Sequence, residues 1–185
     1  MTLENDPRQI KYRQMISNMN ISGTAVIVFG VWSVLRAILY FVLHRVDLAA
    51  LLVDGIEEMT NIEHTFMNDF TFLVFQSILV ADLAVRVYVG RSAVADAAGR
   101  KKSPFYIFLA FVMGWGLASG FVSEVALSFS DDVTEKLMHE MMASAVIDLI
   151  SCFAFFELGV SSVVARMLRK KLKSDGKMIH TAEDK

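Results

Sequence analysis

The chain has one cysteine, two prolines and four histidines in 185 residues, and charged side chains make up only 21% of it. Each scarcity excludes something. Cys152 has no partner in the chain, so neither a disulfide scaffold nor a cysteine-based metal module is possible. With so little proline and glycine, collagen and low-complexity classes are ruled out. His44, His64 and His139 flank the apolar runs, and His180 is near the C-terminus. A haem held between spans needs histidines deep inside them. The sequence has no phosphate-cradling glycine loop, Gly-x-Ser-x-Gly elbow or HExxH pair, so enzyme chemistry is not expected. Neither a cofactor nor a nucleic-acid partner is expected.

What is present is apolar: 55% of the residues are hydrophobic, gathered in four blocks. The blocks run over about 21–43, 66–89, 104–129 and 141–165. About 20 apolar residues in helix cross ~30 Å of hydrocarbon. Runs this long without alternation are not barrel strands, because backbone in lipid must satisfy its own hydrogen bonds. Hence the sequence predicts an all-α bundle of four transmembrane helices. Pro104 after Ser103 suits the first turn of the third, where proline forfeits no intrahelical bond.

Charge is divided by side. Counting Arg86 and Asp69, near the two ends of the second block, with the adjoining loops, fifteen of the eighteen basic residues lie in the N-terminal segment 1–20, the middle loop or the tail 166–185, whereas the two other loops hold ten acids. The positive-inside rule then places both termini and the middle loop in the cytoplasm, in a plasma or bacterial inner membrane. The first twenty residues are polar and resemble no cleavable signal; Asn20-Ile21-Ser22 fits a glycosylation triplet on the wrong side. Residues 8–20 carry Tyr12, Met15, Ile16 and Met19 at helical spacing, which predicts an amphipathic segment in the inner headgroup layer. The basic tail after Ala165 is expected to meet anionic lipid head groups, with residues 174–185 disordered.

A shift of 75 residues lays Asp82-Leu83 on Glu157-Leu158 and Arg91 on Arg166, the mark of a possible duplicated hairpin. Within the blocks lie Arg36, Asp82, Glu124, Asp148 and Glu157, with Arg86 nearer the inner edge. A charge at mid-bilayer costs ~2.5 to 3.5 kcal/mol unless paired, neutral or wet. Arg36 and Asp148 sit at matching depth, which predicts a pair; their stripes hold Trp32, Ser33 and Tyr40, and Ser144, Ser151 and Cys152. Asp82 and Glu157 also match in depth, so they are expected to share a polar space where one retains a proton; an intrahelical Asp82–Arg86 pair is the competing expectation.

Nine residues separate Asp148 from Glu157, about 180° around a helix, so one of them must look out of a lone bundle. That favours a homo-oligomer or a partner membrane protein, as does the Gly116/Gly120 spacing. The outer histidines among acids offer a minor metal reading. Two functions remain open: a transport or ion/proton pathway through Asp82, Glu157, Arg86, Arg36 and Asp148, and a non-enzymatic scaffold or accessory subunit.

Overall fold

The computed structural model describes residues 6–44, 61–100, 102–128 and 135–175. The two acidic loops, most of the tail beyond Ser174, and the side chains of Tyr40, His44, His64, Glu124 and His139 lie outside the described residues. So does the metal reading that depends on those histidines; among the described residues no group of three metal-ligating side chains occurs.

Among the described residues there are four helices, α1 (Pro7–His44), α2 (Asn61–Ala97), α3 (Phe105–Ser128) and α4 (Glu135–Ser174), and all four are long and apolar enough to cross a membrane. α1, α2 and α4 are 38, 37 and 40 residues long. At ~1.5 Å per residue each exceeds 50 Å, well over the ~30 Å of hydrocarbon.

Part of that extra length lies at the N-terminus, where residues 8–20 are the first turns of α1 and continuous with its apolar run. Their apolar stripe is turned inward, with Met19 buried in a cluster with Ala97 and Ala165, and Tyr12, Met15 and Ile16 packed against it.

The turn between α2 and α3 follows from its residues. Gly99 takes φ 91°, the left-handed region open to glycine at low cost. Its N–H donates to the Asp96 carbonyl at 3.0 Å and that of Arg100 donates to the Ala95 carbonyl at 3.0 Å, the paired bonds of a Schellman C-cap. Ser103 Oγ accepts from the Phe105 N–H at 3.3 Å, and α3 starts directly after Pro104 as its sequence requires.

α1 packs along both α2 and α4, and α3 packs along α4, while α2 and α3 touch only lightly. Small residues set these approaches, as expected where lipid removes the hydrophobic drive between helices. A Cβ on Gly90 would collide with the Gly23 carbonyl oxygen, and one on Gly159 would fall 2.8 Å from the Phe111 ring. Val26, Val89, Tyr106, Phe155 and Leu158 form the common core.

Candidate functional site

Two charged assemblies occupy the bundle. The first lies at the end bearing the α2–α3 turn. Asp96, in the last turn of α2, is 2% exposed. Its carboxylate accepts from Arg166 Nε at 2.9 Å, from Arg169 Nη1 at 3.3 Å and from the Tyr106 hydroxyl at 2.7 Å. Arg169 Nη2 also donates to the Asp96 carbonyl at 3.0 Å, and Nε donates to the Tyr12 hydroxyl at 3.0 Å. Arg166 Nη2 donates to the Lys102 carbonyl at 2.9 Å. Both guanidiniums also lie over rings, Arg166 over Tyr106 and Arg169 over Tyr12. One buried carboxylate thus ties α1, α2, α3 and α4 together. A salt bridge from Arg8 to Asp175 at 2.8 Å brings the two described chain ends to this same face.

Sequence reasoning missed this cluster because Asp96 lies beyond the second apolar block and reads as an ordinary loop acid. In the sequence Arg169 reads as part of the basic tail, and Arg166 as part of that tail and as the repeat counterpart of Arg91. One signal was available: Asp96 is the single acid in the otherwise basic stretch 86–102.

The second assembly lies within the four apolar helices. Arg86 Nε donates to Asp82 Oδ2 at 2.7 Å, one helical turn away, and its guanidinium lies over the Phe155 ring. Its side chain is 5% exposed, so snorkelling to the surface is excluded by the packing. Across the bundle Arg36 hydrogen-bonds the Ser144 hydroxyl and stands 3.9 Å from Asp148 Oδ2. Two arginines and two aspartates thus form two pairs on three helices, and these are the expected Arg36–Asp148 and Asp82–Arg86 pairs. Ser151 and Cys152 are buried, as their stripe requires, and Cys152 Sγ donates to the Gly114 carbonyl. Trp32, by contrast, is half-exposed rather than turned to the bundle.

Glu157 is the member that does not join. Its side chain is exposed, in the stripe of Val146, Ile150, Phe153 and Val160 on the outside of α4, and among the described residues it has no ion-pair partner. Depth matching with Asp82 is sound: Glu157 is 12 residues from Arg169 and Asp82 is 14 from Asp96, roughly 18 and 21 Å along their helices. The error is in azimuth. Phe155 and Leu158 are fully buried, so residue 157, about 160° from the first and about 100° from the second, turns outward while Asp148 on the opposite side turns in. The shared Asp82–Glu157 space is therefore not formed within one chain.

The 75-residue repeat fares likewise. Asp82 is paired and Glu157 exposed, and Arg91 is exposed where Arg166 is bound to Asp96, so matched residues occupy unlike environments. Gly116 and Gly120 have nothing within 4 Å of a built Cβ, and Trp115 beside them is 74% exposed, so this small-residue face is not used inside the bundle. Comparison with protein-family models, with curated proteins and with solved structures gives no match for this chain.

Proposed function

We propose that this protein is a non-enzymatic accessory subunit that holds a partner membrane protein through the outer face of α4, with Glu157 as the polar anchor. A single observation carries this reading: Glu157 is exposed among apolar side chains about 18 Å from the charged end of its helix. A carboxylate facing lipid at that depth is costly, and a cation or donor on a neighbouring helix removes the cost. The partner's chemistry follows from what this chain already uses. Arg36 and Arg86 are both committed to aspartates, so a second copy brings no spare cation to that level. A different protein with a lysine, arginine or histidine inside a span fits better than a homo-oligomer. We place both termini and the α2–α3 turn in the cytoplasm of a plasma or bacterial inner membrane, because the basic side chains gather there.

A photo-crosslinking residue at Phe153 or Val160, in native membranes, tests this. The expected result is one adduct of discrete mass that weakens strongly with Glu157→Gln and does not form from Val122 on α3. A crosslinked partner peptide with a basic residue in an apolar span completes it. Adducts only between copies of this chain, or adducts indifferent to Glu157→Gln, count against the reading.

A second reading is an ion or proton pathway through Arg36, Asp82, Arg86 and Asp148. It is favoured by the loose 3.9 Å approach of Arg36 to Asp148, whose side chains are 38% and 20% exposed, in contrast to the tight Asp82–Arg86 contact. Flux into proteoliposomes that depends on pH and disappears with Asp148→Asn supports it; absence of flux in every ion gradient removes it.

A further inference from the structure

We infer that the protein has a built site for one anionic phospholipid on the α1–α2 face, with the phosphate between Arg91, Arg100 and Lys102 and an acyl chain running toward Ala84. A groove of about 870 Å³ runs along this face. The end toward Ala84 is apolar, with Ile27, Ala84 and Val87 as its floor, and the other end, its mouth, holds Arg91, Arg100 and Lys102 with Tyr88 beside them. Ala84 and Arg91 are seven residues apart on α2, about 10 Å, so the groove changes from apolar to basic along the membrane normal over the distance from acyl chain to headgroup.

The three cations are exposed and, among the described residues, their side chains have no acidic partner. Nearby acids are already engaged: Asp96 holds Arg166 and Arg169, and Asp175 holds Arg8. The mouth therefore keeps a concentrated positive charge, which an anionic headgroup neutralises. Gly99 sets the geometry, because its left-handed turn brings Arg100 and Lys102 back over the end of α2 near Arg91. A soluble phosphate would need only the mouth; the apolar floor leading from it fits a lipid. This site is separate from the basic tail, whose Lys170, Lys171 and Lys173 lie on α4. The inference rests on the membrane reading of the four helices and not on the partner proposed for Glu157.

The test uses the full chain in neutral detergent, titrated with phosphatidylglycerol or phosphatidylcholine and read by native mass spectrometry. One phosphatidylglycerol is expected to be retained in preference to phosphatidylcholine, and the combined variant Arg91→Gln/Arg100→Gln/Lys102→Gln is expected to weaken that retention about tenfold or more. Ala84→Phe, which leaves the charges in place and obstructs the apolar floor, is expected to weaken it too. Lys170→Gln/Lys171→Gln/Lys173→Gln is expected to change it less than about twofold. Equal retention of both lipids overturns the inference, as does a loss that follows the α4 lysines instead. Displacement of the lipid by millimolar inorganic phosphate, with Ala84→Phe silent, overturns it in favour of a free-anion site. The three cations are exposed, and unchanged helical circular dichroism of their variants separates lost binding from lost fold.

Discussion

Gly30 of α1 lies against the stem of Arg86 on α2: a Cβ built on Gly30 would fall 2.8 Å from Arg86 Cδ and 3.2 Å from its Cβ. The missing side chain makes room for the buried guanidinium between Asp82 and the Phe155 ring. Gly30→Val should therefore displace Arg86 and disturb a charged pair as well as the packing. A loss of about 2 to 3 kcal/mol is expected, the upper part of the range for overpacking a core, measured by unfolding in mixed micelles. Gly30→Val combined with Arg86→Met should recover part of the loss, because the shorter, uncharged side chain yields. If the pair of changes costs as much as the sum of the two, the contact is not what constrains residue 30.

Asp96 is the second test. Asp96→Asn keeps the shape but leaves Arg166 and Arg169 facing a neutral amide. Breaking a buried pair from one side costs about 3 to 5 kcal/mol; here both arginines are roughly a quarter exposed, so about 2 to 4 is expected. The effect should appear as earlier unfolding and as faster protease cleavage near residues 98–104, since all four helices are tied at that carboxylate. A loss under about 0.5 kcal/mol, the size of an ordinary surface change, would mean that the cluster does not hold the bundle shut.

The presence of four long apolar helices and the pairing of Arg36 with Asp148 were legible in the sequence, because length, hydropathy and depth are one-dimensional quantities. Azimuth was only half legible. The nine-residue spacing of Asp148 and Glu157 shows that they oppose each other, but which one faces inward depends on where α1 and α3 dock on α4. The Asp96 cluster was least legible: its carboxylate, two guanidiniums and two tyrosine hydroxyls come from four helices, and only the folded chain shows that helices extending past the apolar blocks meet there.

The two arginine–aspartate pairs should differ in strength. Arg86 and Asp82 are 2.7 Å apart with Arg86 nearly buried, whereas Arg36 and Asp148 are 3.9 Å apart and both partly exposed. A double-mutant cycle with Arg86→Gln and Asp82→Asn is expected to give a coupling of about 1.5 to 3 kcal/mol, and one with Arg36→Gln and Asp148→Asn less than about 1. Equal couplings, or a larger one at Arg36, would show that the four charges act as one network.

Three glycines on two facing helices separate internal from external packing. Gly159 of α4 receives the Phe111 ring, and a methyl there has no room unless the ring moves; Gly159→Ala is expected to cost about 1 to 3 kcal/mol. Gly116 and Gly120 of α3 face open space, so alanine at either should leave the isolated bundle unchanged or more stable by roughly 0.5 to 1 kcal/mol, through lower chain entropy in the unfolded state. The two α3 substitutions then become a clean probe of association: a change in oligomeric mass without any loss of fold would place a helix of another molecule against Gly116 and Gly120. If Gly159→Ala also proves neutral, the close approach of α3 to α4 at Phe111 is not what fixes that pair, and the contact along Gly114 and Phe155 must bear it instead.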